Sequence, residues 1–269
     1  MKKVILVTGA SSGMGKSAAI KLHNQGHKVY GAARKTDRMK DLEEMGIGVV
    51  FLDLTDDATI VQATNTILEK EGRIDVLINN AGYGSYGSVE EVTIEEAKRQ
   101  FEVNIFGLAR ITQLIIPGMR TQGYGRIVNI SSMGGKIYTP FGAWYHATKH
   151  ALEGWSDCLR LELKEFGIDV VVVEPGGIQT EWGSIATDHL MKTSGNGPYS
   201  NFVTKVASVM GKSSDKLTPV EVLGKEIAKA ATVTNPKTRY VKGYMAKPAI
   251  FVRRWFGDRA FDKMIASQF

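Results

Sequence analysis

The sequence predicts an α/β fold built on one doubly wound parallel sheet. Three observations support this prediction: short apolar runs alternate with longer helical segments, a glycine-rich turn follows the first run, and the 269 residues suit one domain, 1–269. Strands that alternate with helices are typical of parallel sheets. Two segments depart from this alternation, an irregular stretch at 181–217 and a basic C-terminal extension at 236–269, which we expect to be helical.

Six apolar runs are the predicted strands. They lie at residues 3–8, 28–33, 48–52, 76–79, 126–130 and 170–173. A strand with one face in water alternates apolar and polar side chains, whereas these runs are apolar almost throughout. We therefore expect strands that are buried on both faces, with helices covering the two sides of the sheet.

The segment 181–217 is rich in Gly, Ser and Lys and follows no regular pattern. Long irregular segments in a compact domain often form lids over binding sites. We therefore expect a substrate lid here. Trp182 and Tyr199 from this lid, with Phe141 and Trp144, are expected to give the pocket an aromatic, apolar wall that suits a lipophilic substrate.

The composition is that of an ordinary soluble protein, with 43% hydrophobic and 23% charged residues. The apolar run after Lys3 is too short for a signal peptide, and no stretch approaches the roughly 18 apolar residues of a spanning helix. The one cysteine, Cys158, cannot form an internal disulfide, which fits a reducing compartment. We expect a cytoplasmic protein. The five histidines form no ligand cluster in the sequence, so we expect no metal.

The net charge of +6 is concentrated in the C-terminal extension, where 236–269 contains eight Lys and Arg and two Asp. No nucleic-acid-binding module is recognisable, so we expect no nucleic-acid partner. Phe251 and Trp255 lie four residues apart, as do Phe261 and Ile265, and this spacing puts each pair on one helix face. We expect both helices to pack on the parent domain, over the substrate pocket or a subunit interface. Contact with a membrane surface is the less favoured alternative.

A glycine-rich turn follows the first predicted strand and opens a helix. Glycines are needed where the backbone turns tightly and approaches a pyrophosphate, whose charge is favoured at a helix N-terminus. The turn therefore predicts the dinucleotide-binding loop of a Rossmann fold. Its residues are Gly9, Ser11, Ser12, Gly13, Met14 and Gly15. A glycine-rich turn without a ligand is the alternative.

The end of the second strand predicts which cofactor binds. An acidic residue there would bind the ribose 2′-hydroxyl of NAD, whereas an arginine accommodates the 2′-phosphate of NADP. The strand ends with Ala33, and Arg34 and Lys35 follow it. Because the carboxylate is missing and cations follow, we expect NADP(H) to be favoured over NAD(H). The alternative is that both cations are solvated loop charges.

Tyr145 and Lys149 are four residues apart in a helical segment, with Ser132 thirteen residues before the tyrosine. A Tyr and a Lys at this spacing share one helix face. A nearby ammonium favours the phenolate, so the pKa of Tyr145, normally about 10, is expected to fall. Tyr145 is therefore a candidate general acid and base. Such a pair alone is usually solvated, and its position behind a nucleotide loop is what gives it weight.

Together these features resemble the classical short-chain dehydrogenase/reductase family, over the chain up to about Pro219. The further motifs that carry the resemblance are Asn79-Asn80-Ala81-Gly82 after the fourth strand, Asn104 in the next helix, Ser131-Ser132 after the fifth strand and Pro175-Gly176-Gly177-Ile178-Gln179-Thr180 after the sixth. Within the family, the sequence looks more like the 17-beta-hydroxysteroid and retinol dehydrogenase branch than the 3-oxoacyl carrier-protein reductases.

The resemblance implies an oxidoreductase that interconverts a ketone or aldehyde and an alcohol by hydride transfer. Tyr145 would exchange a proton with the substrate oxygen, Ser132 would hydrogen-bond that oxygen, and Lys149 would lower the Tyr145 pKa and bind the nicotinamide ribose. Asn104 would position Lys149 through a water. Further cofactor contacts would come from Asp53, Leu54, Asn80, Ala81, Gly82, Pro175, Gly176, Ile178 and Thr180. The resemblance also implies a homodimer or homotetramer.

Structural roles are the alternatives for isolated residues. Asp53 could cap a helix with Thr55, Asn80 could be a turn residue, and Asn104 could be a polar group bonded to backbone. Competing functions also remain open: a 3-oxoacyl reductase, a nucleotide-sugar epimerase or dehydratase, and a non-catalytic NADP(H)-sensing protein. The spacing of the glycines disfavours the epimerase, and the intact Ser132, Tyr145 and Lys149 disfavour the sensing protein.

Overall fold

The computed structural model of the protein describes residues 2–212 and 214–269, and a parallel sheet lies at its centre. The strands of this sheet are β1 Val4–Thr8, β2 Lys28–Ala33, β3 Gly48–Phe51, β4 Val76–Asn79, β5 Gly125–Ile130, β6 Ile168–Pro175 and β7 Arg239–Lys242. Their order is β3-β2-β1-β4-β5-β6-β7, and each neighbouring pair is parallel. The order reverses between β1 and β4, and ligands bind beyond the carboxyl ends of strands at such a point.

Helices cover both faces of the sheet, which confirms the doubly wound α/β architecture. They are α1 Gly13–Asn24, α2 Lys40–Glu44, α3 Asp57–Glu71, α4 Ile94–Phe101, α5 Gly107–Gln122, α6 Ala143–Leu163, α7 Trp182–Ser194, α8 Ser200–Lys212, α9 Val220–Thr232 and α10 Ala246–Ala266. Helices α1 and α9 pack on one face through Leu22 and Ile227, and α3 and α5 pack on the other through Ile67 and Ile115. Side chains of both strand faces are therefore buried.

All six predicted strands are present, within two residues at most of their ends. Strand β7 was not predicted, because Arg-Tyr-Val-Lys is short and half charged and resembles a surface segment. It pairs with β6, and its Tyr240 is buried against the core of the sheet.

The segment 181–217 is not irregular, and this part of the sequence prediction was wrong. It forms α7 and α8, which cover the carboxyl edge of the sheet. Ala186 and Leu190 of α7 and Val203 and Val206 of α8 are buried together. This helical spacing of small and apolar residues is present in the sequence, but Gly and Ser residues between them obscure it.

Helix α10 has a kink at Gly257, whose φ of 75° and ψ of −173° lie outside the helical region. Beyond the kink, Phe261 is fully buried against Ile137, so this half packs on the parent domain as expected. Before the kink, Phe251 and Trp255 are exposed instead of packed. The C-terminal extension begins with β7 and is helical from Ala246 to Ala266, and Ala249 before the kink is buried in the same cluster as Phe261 beyond it. Among the described residues, no helix combines the length and apolar character needed to cross a membrane.

Candidate active site

The glycine-rich turn joins β1 to α1 at the carboxyl edge of the sheet. Gly9 and Gly13 have φ values of 68° and 56°, in the left-handed region that glycine tolerates best. A Cβ on Gly9 would lie 2.8 Å from the backbone of Ala81, too close for any larger residue. The loops that follow β1 and β4 are therefore in direct contact.

Asn80 holds the glycine-rich turn in place from the β4 side. Its side-chain amide donates to the carbonyls of Thr8 and Gly9, at 3.0 and 3.1 Å. The Thr8 hydroxyl in turn accepts the backbone amides of Asn80 and Ala81, at 3.1 and 3.0 Å. In this structure Asn80 has the turn role that the sequence left open, and its adenosine contact stays a prediction.

The N-terminus of α1 has the chemistry of an anion site. Ser12 occupies the cap position but its side chain makes no capping hydrogen bond, and the first turn contains no acidic residue. Unpaired amides and the helix dipole make such an end attractive to phosphate. The residues present therefore fit the pyrophosphate of a dinucleotide.

Ser132 and Tyr145 meet at the carboxyl end of β5. Ser132 follows the strand and accepts a hydrogen bond from Gly134 N at 2.9 Å, which fixes its rotamer. Tyr145 lies on the first turns of α6, is 7% exposed, and is near enough to Ser132 for the serine side chain to influence its pKa. Burial raises the pKa of Tyr145 to about 12, and the nearby Ser132 side chain opposes this rise only in part. Tyr145 is therefore a protonated phenol at neutral pH.

Lys149 lies one turn further along α6 and is also buried. Its ammonium donates to the carbonyl of Ile130 at 2.9 Å. Burial lowers the Lys149 pKa to about 8, and the nearby Glu153 opposes this shift. The expectation that Lys149 lowers the pKa of Tyr145 stays a prediction, since in this structure burial has the largest influence at Tyr145 and the Lys149 ammonium is bound to Ile130 O.

Asn104 is in a π-helical turn between α4 and α5, and it clamps the loop that follows β4. Its side chain accepts from Tyr83 N at 3.1 Å and donates to Tyr83 O at 2.9 Å. The same amide donates to Thr148 on α6 at 3.1 Å. A Cβ on Gly82 would come within 3.0 Å of Asn104 Oδ1 and 3.8 Å of Lys149 Nζ. Asn104 thus joins the β4 loop to the helix that carries Tyr145 and Lys149.

His146 fastens the loop after Ser132 to α6. Thr139 N donates to its Nε2 at 3.0 Å, so Nε2 is the acceptor and Nδ1 donates to Gly134 O at 2.9 Å. Burial lowers the His146 pKa to about 4, which keeps the ring neutral and both bonds intact. No signal in the sequence pointed to this clamp.

Aromatic rings from the lid cover Tyr145. The Trp182 ring lies 5.2 Å from the Tyr145 ring and 5.8 Å from that of Tyr86, centroid to centroid. Phe141, with a strained φ of 64°, packs on Tyr199 in the same cluster. Phe141, Trp182 and Tyr199 of the predicted aromatic wall thus lie in one cluster with Tyr145 and Tyr86, whereas Trp144 is not a member of this cluster.

Three consecutive lid residues connect this cover to the nucleotide loop. The Thr180 side chain would lie 3.5 Å from a Cβ at Gly13, and Trp182 packs on Tyr145. Between them, Glu181 forms a two-pronged ion pair with Arg38, at 2.8 and 3.2 Å. Arg38 holds the Glu181 pKa below its usual range. The sequence could not show this pair, because its members are 143 residues apart.

The predicted cofactor-selecting residues lie at the end of β2. Ala33 is buried, whereas Arg34 and Lys35 are exposed beside the glycine-rich turn. Arg34 is close to Tyr83, where burial raises the tyrosine pKa and the positive charges of Arg99 and Arg34 oppose the rise. A guanidinium in this position is free to meet an anion.

Asp53 accepts hydrogen bonds from Thr55 N and Thr55 Oγ1, at 3.0 and 2.9 Å. This is the structural role that the sequence left as an alternative to adenine binding. Leu54 is buried beside it against the α3 face.

At the other end of the predicted site, the amides of Gly176 and Gly177 donate to Lys242 O and Tyr244 O, at 2.8 and 2.9 Å.

Comparisons with known proteins agree with this geometry. The model for the short chain dehydrogenase family matches residues 3–189. A 3-ketodihydrosphingosine reductase of Bacteroides thetaiotaomicron is 37% identical over 88% of this chain and 86% of its own length. An NADPH-dependent 3-dehydrocapnine reductase of Ornithobacterium rhinotracheale is 33% identical over 96% and 94%. The crystal structure of a short-chain dehydrogenase from Streptomyces avermitilis aligns with a TM-score of 0.83 and 34% identity, over 94% and 93% of the two chains.

Proposed function

Because the chain belongs to the classical short-chain dehydrogenase/reductase family and is an oxidoreductase of C–OH and C=O groups, we propose that it is an NADPH-dependent reductase of lipophilic ketones. The single observation that carries this proposal is the placement of Ser132 and Tyr145 next to each other beneath an aromatic cover. A polar reacting pair in an apolar enclosure suits a carbonyl on an otherwise apolar molecule.

Tyr145 is the proposed proton donor in the direction of reduction. Its pKa of about 12 keeps the phenol protonated, so the proton is available when the substrate oxygen becomes basic. Ser132, held by Gly134 N, would donate to the same oxygen and stabilise the charge that develops there. When bound, the nicotinamide cofactor supplies the hydride.

Lys149 is proposed to bind the nicotinamide ribose and to supply positive charge next to Tyr145. For this, its ammonium would exchange Ile130 O for the ribose hydroxyls. Asn104 is proposed to act as a positioning residue, because its amide contacts Tyr83 and Thr148 in the free protein. A water between Asn104 and Lys149 stays part of this proposal.

The α1 N-terminus and the turn from Gly9 to Gly15 are proposed to hold the pyrophosphate, with Ser11, Ser12 and Met14. Asp53 and Leu54 would border the adenine, Asn80 to Gly82 the adenosine ribose, and Pro175, Gly176, Ile178 and Thr180 the nicotinamide. Arg34 would bind the 2′-phosphate. The relative named as NADPH-dependent supports this cofactor preference.

For the substrate, the two named relatives are the best guide. Their names specify 3-ketodihydrosphingosine and 3-dehydrocapnine, so ketones of this kind are the first candidates for this chain. A 3-oxoacyl thioester is the second candidate class, since it presents a ketone at the same carbon. The aromatic cover formed by Tyr86, Phe141 and Trp182 favours the more lipophilic of these compounds.

A homodimer or homotetramer is also proposed. Phe106 and Leu161, beside α5 and on α6, are 56% and 68% exposed, which is unusual for large apolar side chains. They fall in the helical regions 104–119 and 145–166, through which the family resemblance implies subunit contact. Sedimentation of the intact protein and of Leu161→Asp tests this proposal. The variant should form a smaller assembly than the intact protein, and a monomeric intact protein would contradict the proposal.

The experiment that tests the function is NADPH oxidation measured against 3-ketodihydrosphingosine, 3-oxoacyl esters, steroid ketones and short aldehydes, with NADH in parallel. We expect turnover with at least one lipophilic ketone and a higher kcat/KM with NADPH. NADPH binding without turnover of any compound would contradict the proposed reaction. Equal kcat/KM with both cofactors would contradict only the cofactor preference.

A further inference from the structure

The first half of α10 carries three large aromatic side chains that face solvent together. Phe251, Trp255 and Phe256 are 55%, 68% and 64% exposed. The Phe251 ring lies 6.4 Å from the Trp255 ring and 6.0 Å from the Phe256 ring, so the three form one continuous patch. We call this patch the α10 aromatic face. Large exposed apolar patches usually mark an interaction surface.

Cations surround the α10 aromatic face. Lys247 and Arg254 are exposed, and the Arg254 guanidinium lies over the Trp255 ring at 5.7 Å. Arg253 points the other way, to the Tyr138 ring at 5.3 Å, and pairs with Asp258. The face therefore combines aromatic rings with positive charge at its border.

The position of the α10 aromatic face is fixed relative to the substrate site. Beyond the Gly257 kink, Phe261 packs edge-on against the Tyr138 ring at 5.1 Å, and the Tyr138 hydroxyl donates to Asp262 at 2.8 Å. Tyr138 belongs to the loop that His146 clamps after Ser132. The Phe269 ring lies 5.5 Å, centroid to centroid, from the ring of Phe202 in the lid.

We propose that the α10 aromatic face docks on the surface of an anionic lipid bilayer and holds the substrate lid at that surface. Helices of this kind lie in the interface, with aromatic side chains among the headgroups and basic residues toward anionic lipids. Arg239 is paired with Glu153, Asp157 and Glu174, and Arg253 with Asp258, so the exposed Lys247 and Arg254 at the border of the face are the cations that complement such a surface. Two copies meeting through this face would bring Arg254 and Lys247 of each against like charges, which disfavours self-association.

The consequence concerns the delivery of substrate. An amphiphilic ketone partitions into bilayers, so a reductase in solution meets little of it. Docking through α10 would bring the lid helix α8, whose Phe202 contacts Phe269 after α10, toward the phase that holds such a molecule. The proposal rests on the proposed function only in this consequence, because lipid binding itself needs no turnover.

The experiment is co-sedimentation of the full chain with vesicles of phosphatidylglycerol and phosphatidylcholine, and with vesicles of phosphatidylcholine alone. We expect binding to the anionic vesicles at low salt and release as salt rises. Trp255→Ser should weaken the partition coefficient about tenfold, and Arg254→Gln about fivefold, since one cation near the surface contributes about 1 kcal/mol. Phe51→Ser is the matched control, because Phe51 is 52% exposed on β3, and it should bind like the unmodified protein.

A second readout uses Trp255 itself. Its emission should shift to shorter wavelength when anionic vesicles are added, and the shift should be absent in Trp255→Phe. NADPH binding by the same variants reports that the dinucleotide fold is intact. Equal vesicle binding by the unmodified protein, Trp255→Ser and Phe51→Ser would overturn the proposal. It would also be overturned if neither the unmodified protein nor Trp255→Ser bound vesicles and Trp255→Ser formed a smaller oligomer.

Failure of docking and failure of the proposed reaction are distinguishable. If docking is wrong but the reaction is right, Trp255→Ser keeps the rate of the intact protein on every ketone, whether free or in vesicles. If docking is right, Trp255→Ser loses rate only on the vesicle-bound ketone. If no ketone is reduced, the vesicle binding and the Trp255 emission shift still decide the docking.

Discussion

The two sides of the candidate active site are held in place by different kinds of contact. On the sheet side, Ser132, Asn104 and Lys149 are each bonded to backbone atoms at 2.9 to 3.1 Å. On the lid side, Trp182 is held by ring contacts, and Glu181 by an ion pair whose side chains are 40% and 59% exposed. Exposed ion pairs contribute little to stability.

The two kinds of contact suit two different functions of the site. Backbone bonds fix groups to within tenths of an ångström, as proton transfer and charge stabilisation require. Ring contacts and an exposed ion pair can open at low cost, as entry of a substrate to a buried tyrosine requires. We therefore expect changes on the sheet side to reduce kcat, and changes on the lid side to act mainly on KM.

The largest effect is expected on the sheet side. Ser132→Ala should lower kcat about 10²- to 10³-fold with little change in substrate KM, because it removes a donor to the developing oxyanion. Ser131→Ala is the matched control, since Ser131 is the buried neighbour on the same turn and should change kcat only a few-fold. Steady-state kinetics of both variants test this, and similar losses in both would remove the distinction between the two serines.

The next effect concerns the two arginines that border the nucleotide loop. Arg34→Leu should reduce the preference for NADPH over NADH about ten- to a hundredfold, mainly through cofactor KM, because a charge-assisted contact is worth about 1.5 to 3 kcal/mol. Ala33→Asp should shift the preference further toward NADH. Arg38→Leu is the contrasting variant: it breaks the pair with Glu181 and should leave the preference largely unchanged. If Arg38→Leu reduced the preference for NADPH more than Arg34→Leu, the phosphate contact would belong to Arg38 and the assignment to Arg34 would be wrong.

A smaller effect is expected on the lid side. Trp182→Ala should raise the KM of a lipophilic ketone up to about tenfold with kcat nearly unchanged, because ring pairs are worth about 0.5 to 1.5 kcal/mol beyond their buried area. Trp182→Phe keeps a ring and should recover most of the KM. Steady-state kinetics with one ketone measure both variants. A loss in kcat as large as that of Ser132→Ala would mean that the lid takes part in the chemistry.

The smallest effect is on stability. Burial lowers the pKa of Lys149 from its ordinary value of 10.5 to about 8. Between these values the unfolded chain holds a proton that the folded chain has released, so the free energy of unfolding rises with pH across this window. Relative to Lys149→Met, the unmodified protein should gain about 1 to 3 kcal/mol from pH 8 to 10.5. Urea unfolding at both pH values measures this gain, and parallel pH profiles of the two proteins would show that folding does not lower the Lys149 pKa.

The sheet side was accessible to sequence analysis because its signals are local. Gly9, Gly13, Ser132, Tyr145 and Lys149 each occupy the end of an apolar run or one face of a helix, and these patterns survive in a single sequence. The hydrogen-bond partners of the site residues in the free protein could not be predicted from the sequence. The contacts of Lys149 with Ile130 and of Asn104 with Tyr83 depend on loop conformations that no spacing encodes.

The lid side and the tail were predicted less well, for three physical reasons. The helices α7 and α8 have Gly and Ser among few apolar positions, so their period is weak until they pack. The Arg38–Glu181 pair joins distant parts of the chain. The Gly257 kink also matters, because it lets Phe261 be buried while Trp255, in the same basic segment, stays exposed.

The central claim is that Tyr145 transfers the proton, and Tyr145→Phe tests it most directly. The substitution removes the hydroxyl and keeps the ring that packs on Trp182 and Tyr86. Turnover of the best ketone should fall by about 10² to 10⁴ or more, because acid catalysis is worth that much and Tyr145 acts together with Ser132. NADPH affinity, measured by fluorescence titration, should stay within a few-fold of the unmodified protein. Turnover of Tyr145→Phe within a few-fold of the unmodified enzyme, with NADPH still bound, would contradict the claim.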